Sequence, residues 1–105
     1  MLESKYQSQL IERLEELFPG CVILKNDTDY LQGVPDLLVL YNDRWAMLEV
    51  KRAADAPQQP NQAYYVDLFD SMSFGAFIFP ENEEDVLRDL QQAFGSRRRS
   101  RISQR

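Results

Sequence analysis

Four residues carry the chemistry this chain can do: Asp36 in Gly33-Val34-Pro35-Asp36, and Glu49, Val50 and Lys51 in Leu48-Glu49-Val50-Lys51. Between the two motifs lie two apolar runs, Leu37 to Tyr41 and Arg44 to Met47, around Asn42-Asp43. Asn and Asp tolerate the positive φ that a two-residue hairpin turn demands, so the segment reads as a β-hairpin. With Asn42 and Asp43 as the loop, Tyr41 faces Arg44, and stepping back along both strands sets Asp36 opposite Glu49. A four-residue loop on the same centre gives the same pairing, and an odd-length loop shifts it. Strand side chains alternate with period two, so Lys51 shares the face of Glu49. Opposed carboxylates repel across a ladder, and a cation between them relieves that repulsion. The pattern points to a hard divalent ion held by oxygen ligands, with an ammonium group alongside.

The elements that must position these residues follow from periodicity. Residues 3–18 read as a helix with Tyr6, Leu10, Leu14 and Leu17 on its inward stripe, ended by Pro19-Gly20. Glu3 falls on that same stripe, where a carboxylate is unusual, although first-turn acids also complement the helix dipole. Residues 21–25 read as a strand, 26–33 as a polar loop, and 52–60 as irregular chain. Pro60 suits the first position of a helix reaching to about residue 72, with Tyr65, Val66, Phe69 and Met72 apolar. Gln62 points to the same side, where it either meets the site or caps backbone N–H groups. Residues 75–79 are continuously apolar and read as a central strand stopped by Pro80. Asn82 can cap a last helix with Val86, Leu90 and Ala93 or Phe94 inward, ended by Gly95. The order is αβββαβα, an α/β fold with a mixed sheet flanked by helices and a C-terminal helix added.

Composition narrows the chemistry further. The 105 residues suffice for one domain, assigned to residues 1–94, with 95–105 as a disordered Arg-rich tail. There is no histidine, which removes Ser-His and Cys-His dyads, imidazole bases and His-ligated zinc. The lone Cys21 cannot form an internal disulfide, and with no base to activate it reads as a small buried thiol. No apolar run approaches the roughly 20 residues needed to cross a bilayer. The opening residues lack the basic-then-apolar order of a signal peptide, so a cytoplasmic protein without a membrane partner is expected. The net charge is −5, but residues 95–105 hold five of the 12 basic residues and none of the 17 acids. That leaves seven basic and 17 acidic residues in 1–94, a net of −10. An acidic body is a poor partner for a polyanion. The tail either supplies phosphate contacts or serves only as a solubilising terminus.

A site of oxygen ligands and a lysine suits phosphodiester hydrolysis, which needs a polarised water and charge to stabilise the transition state. Asp36 and Glu49 are the first candidate ligands, the Val50 carbonyl can add an oxygen, and Lys51 can reach the water or phosphate oxygens. Lys25, at a strand end, can also touch phosphate or simply be solvated. Gly-Val-Pro-Asp followed by Leu-Glu-Val-Lys resembles the PD-(D/E)xK nuclease superfamily, in particular small VRR-NUC-type and Holliday-junction-resolvase-like members often encoded by phages. The resemblance spans residues 3 to about 94 and includes Glu3 and Gln7 in the first helix and Pro60-Asn61-Gln62 opening the second. It implies a restriction-endonuclease-like αβββαβ core and a deoxyribonuclease. Asp36 and Glu49 would bind Mg²⁺ or Mn²⁺, Lys51 would be catalytic, Glu3 would complete the metal site, and Gln62 would orient phosphate or water. In-line attack of water would leave a 5′-phosphate. Branched DNA, a homodimer matched to it, and phage or host replication and recombination proteins are the partners implied. The chain departs from such resolvases in lacking a broad basic surface. A nuclease-like assembly module without its own activity is the alternative.

Overall fold

The computed structural model describes the backbone of residues 1–103 and the side chains of residues 1–95. Three helices and four strands follow the expected order: α1 (Glu3–Leu17), β1 (Val22–Lys25), β2 (Leu37–Tyr41), β3 (Arg44–Val50), α2 (Gln62–Met72), β4 (Gly75–Ile78) and α3 (Glu83–Ser103). The strands form one mixed sheet in the order β1-β2-β3-β4, antiparallel except for the parallel pair β3 and β4. The hairpin has the register expected of it, with Tyr41 opposite Arg44 and Leu37 opposite Leu48. Asn42 takes the positive φ of 56° that the tight turn requires.

Alternation along β2 and β3 divides the sheet into two faces. Leu37, Val39, Ala46, Leu48 and Val50 turn one way and are fully buried with Ile78 of β4. They pack against Tyr6, Leu10 and Leu14 of α1 and Leu87, Leu90 and Phe94 of α3. Phe18, Tyr41 and Phe94 close one end of this core, with ring centroids 5.1 to 5.7 Å apart. On the opposite face, Trp45 meets Phe69 of α2 edge-on at 6.1 Å, and α2 lies over β3 and β4. Beyond its reach Val22, Leu24 and Leu40 remain exposed on β1 and β2. Among the described residues no helix is long and apolar enough to cross a membrane.

Several expectations are corrected. The apolar strand at residue 75 is β4, an edge strand and not a central one. Its continuous apolarity reflects α2 on one face and α3 on the other, which bury both sides of an edge. Helix α2 begins at Gln62, after a turn through Pro60 and Asn61, and Met72 is exposed. Helix α3 runs through Gly95, since one glycine costs a helix only about 1 kcal/mol. Leu87, which the expected stripe omitted, lies deep in the core while Val86 is only packed against it. The tail expected to be disordered spans residues 95–105; its backbone continues α3 to Ser103, and residues 104 and 105 and the side chains from 96 on lie outside the described residues.

Candidate active site

Strand β3 builds the core with one set of alternate residues and the site with the other. Leu48 and Val50 enter the α1–α3 core, so Glu49 must emerge on the α2 face, and Lys51, one step past the strand, follows it there. Both are buried, Glu49 to 2% and Lys51 to 7% exposure. Continuing the hairpin register beyond Leu37 and Leu48 places Asp36 at the mouth of the ladder facing Glu49. Asp36 Oδ2 accepts the Val50 N–H at 2.9 Å. In an extended strand the N–H and C=O of one residue leave on the same edge, so the Val50 carbonyl is aimed toward Asp36 as well.

Gln62 closes the site from the first turn of α2. Its Nε2 donates to Glu49 Oε2 at 2.9 Å, and its Oε1 accepts from Lys51 Nζ at 2.8 Å and from the Gln59 N–H at 2.9 Å. Lys51 Nζ also donates to the Pro57 carbonyl at 2.9 Å and lies 3.8 Å from Glu49 Oε2. Gln62 thus bridges the acid and the base and also caps the Gln59 backbone N–H before the helix, so both expected roles are present. Among the described residues no donor reaches the buried Glu49 Oε1.

Electrostatics follow from this burial. Desolvation, then the charge of Asp36, pushes the Glu49 carboxyl from its ordinary 4.5 up to about 8, against the attraction of Lys51. Burial also raises Asp36, while the Val50 N–H holds it back. With its carboxyl pushed up to about 8, Glu49 holds a proton near neutral pH. A cation would replace that proton, and the donorless Glu49 Oε1, the Asp36 carboxylate and the Val50 carbonyl suit a hard ion that completes its shell with water. Glu3 reaches the rim of the same cavity, where its Oε1 accepts the Arg52 N–H at 3.2 Å. Among the described residues, however, no three His, Cys, Asp or Glu side chains converge as a metal-binding group.

The cavity in front of the carboxylates measures about 530 Å³. One wall is the loop before β2 and the other the start of α2. Gly33 joins them: its φ is +91°, and a Cβ there would lie 2.4 Å from the Asn61 Cβ. Asn26 was not foreseen as a site residue. Its Nδ2 donates to the Pro35 carbonyl at 2.8 Å, and its backbone N–H donates to the Asp36 carbonyl at 2.9 Å, so it fixes the Pro35-Asp36 backbone. The available signal was its place directly after β1, where an amide can continue the ladder opposite Asp36. Lys25 is exposed at the end of β1, opposite Leu37, and is not among the residues lining the cavity. No family model, curated protein or solved structure matches the chain.

Proposed function

We propose that the protein is a Mg²⁺- or Mn²⁺-dependent deoxyribonuclease of the PD-(D/E)xK type, acting in the cytoplasm on branched or recombining DNA. The observation that carries this reading is the opposed pair Asp36 and Glu49, one oxygen of it buried without a donor, with Lys51 Nζ at 3.8 Å. A retired site has no reason to keep two facing carboxylates, because their burial costs stability. Asp36, Glu49 and the Val50 carbonyl would hold the ion, with Glu3 at the rim acting through water. When bound, the ion supplies Lewis-acid polarisation of the scissile phosphate and lowers the pKa of the attacking water.

The chain's own groups do the rest. Lys51, freed from Gln62 or the Pro57 carbonyl, offers an ammonium to the non-bridging phosphate oxygens as their charge grows. Gln62 sets the direction of both Glu49 and Lys51, and its amide can then turn to a phosphate or water. Asn26 holds the backbone of Asp36. Action on a two-stranded branch favours a homodimer, working with phage or host replication and recombination proteins.

The test is cleavage of supercoiled plasmid and of a labelled four-way junction with Mg²⁺ or Mn²⁺, comparing wild type with Asp36→Asn and Lys51→Ala. Metal-dependent cutting by wild type, reduced at least a hundredfold in each variant, is the expected result. One observation favours a second reading, an assembly module without activity: Lys51 Nζ donates to the Pro57 carbonyl and to Gln62 Oε1 of the protein itself. Absence of cutting by wild type on either substrate, with ion binding intact, would select that module.

A further inference from the structure

Asp36 lies between β1 and β3, and one half-buried residue, Asn26, supplies what holds it from the β1 side. The Asn26 N–H donates to the Asp36 carbonyl at 2.9 Å, which adds a rung to the β1–β2 ladder beyond Lys25 opposite Leu37. Its side chain does what the ladder does not. The Pro35 ring is fully buried, and a carbonyl beside it needs a donor. Asn26 Nδ2 supplies that donor at 2.8 Å and also meets Met47 Sδ at 3.3 Å.

These bonds fix more than a turn. The Pro35 carbonyl belongs to the peptide unit before the Asp36 Cα, and the Asp36 carbonyl to the unit after it. Each unit is planar, so holding both sets the two backbone dihedrals of Asp36 and the direction of its Cα–Cβ bond. From the other side, the Val50 N–H of β3 donates to Asp36 Oδ2 at 2.9 Å. The backbone of Asp36 is held by Asn26, and its carboxylate by β3. Met47, which the amide touches, lies on β3 two residues before Glu49 and on the same face. The Asn26 amide thus reaches from the end of β1, past Pro35, to the strand that carries the second carboxylate.

We infer that Asn26 is a positioning residue of the site: through the two peptide units that flank the Asp36 Cα, it aims the Asp36 carboxylate at the place a divalent ion would share with Glu49. This rests on the nuclease reading for the ion and adds a residue outside the set of carboxylates, lysine and Gln62. Groups that hold such a ligand work only within about 0.5 Å and 10–20°. Removing the outer partner of a metal ligand weakens binding about 10–100-fold.

The experiment is calorimetric titration with Mn²⁺, well below each unfolding midpoint, of wild type, Asn26→Ala and Asn26→Asp. Asn26→Asp keeps the size and the backbone N–H but has no N–H to give the Pro35 carbonyl. By charge alone, an added carboxylate near the site would tighten cation binding. Loss of aim should instead weaken it at least about tenfold, as in Asn26→Ala. Tyr6→Phe, which loses a hydrogen bond to Glu83 away from the residues lining the cavity, is the control for stability and should bind Mn²⁺ like wild type. Asn26 variants that bind like wild type, or an Asn26→Asp that binds more tightly, would overturn the inference. So would failure of both to fold, which would make Asn26 part of the framework only. Cleavage of supercoiled plasmid in Mn²⁺ separates the two readings. Asn26-dependent binding without cutting keeps the positioning role and removes the nuclease. Cutting at the same half-saturating Mn²⁺ in wild type and both Asn26 variants keeps the nuclease and removes the positioning role.

Discussion

Replacing Glu49 by Gln should stabilise the metal-free protein, and increasingly so as pH rises. The wild-type carboxyl ordinarily ionises near 4.5 and is pushed up to about 8 in the fold. Below 4.5 it is protonated in both states and costs nothing. Between 4.5 and 8 the folded protein keeps the proton that the unfolded chain has lost, so stability falls as pH climbs, and above about 8 the cost is complete. At about 1.4 kcal/mol per tenfold change, the full interval is worth about 5 kcal/mol. The attraction of Lys51 at 3.8 Å is already contained in that value. Relaxation and entry of water around the carboxylate pair bring the expected gain down to about 2–3 kcal/mol. Gln keeps the volume and mimics the protonated acid. In a 105-residue chain this corresponds to a melting temperature about 10 °C higher for Glu49→Gln at pH 8.5, shrinking toward nothing at pH 5. The assay is thermal unfolding of both proteins in EDTA across that range, repeated with Mn²⁺. The ion should raise the wild-type midpoint at high pH and leave the variant unmoved, since only the folded carboxylate pair binds it. A wild-type midpoint that does not fall with pH, or a variant that follows it, would refute the placement of a buried carboxyl without a donor.

Two further outcomes test how the site is held. Gly33→Ala should cost about 2 kcal/mol or more by chemical denaturation, because its φ of +91° and the 2.4 Å approach to Asn61 both oppose a side chain, whereas Gly20→Ala, at φ +88° with nothing within 4 Å, should cost about 1 kcal/mol from backbone strain alone. Tyr6→Phe should lose about 1–2 kcal/mol in the same assay, since the hydroxyl donates to Glu83 Oε1 at 2.7 Å where Arg13 also binds Glu83; a neutral result would mean that Arg13 alone satisfies Glu83.

The opposed carboxylates were legible in the sequence because a two-residue turn fixes the whole ladder behind it: once Asn42 turns the chain, Asp36 must face Glu49. The inward direction of Gln62 was legible for a similar reason, as helical spacing from Tyr65 and Val66 sets it. Asn26 was not, because its role depends on β1 pairing with β2 across an eleven-residue loop that carries no periodicity. The edge position of β4 was hidden by its apolarity, which reports burial of two faces and says nothing about the number of neighbouring strands. Gly95 was read as a stop on local propensity, and the packing of Phe94 and Leu90 outweighed it. Glu3, expected on the buried stripe of α1, is instead exposed at the cavity rim, because it opens the helix beyond the sheet's cover. The distance from its carboxylate to the other two is a tertiary quantity.

Because Asp36, Glu49 and Lys51 all belong to one short hairpin and its exit, the acidic pair is assembled by the most local pairing in the sheet. The two segments that wall the cavity, the loop after β1 and the irregular stretch before α2, lie outside that hairpin on either side. Insertions, deletions or exchanges there would reshape what enters the cleft without shifting the register that opposes the carboxylates. The architecture therefore separates two heritable traits: the opposition of the two carboxylates is written in the ladder, and the shape of the cavity before them in the surrounding loops. A lineage could reshape that cavity many times while keeping the same sixteen or so residues, as loops tolerate such change far better than paired strands.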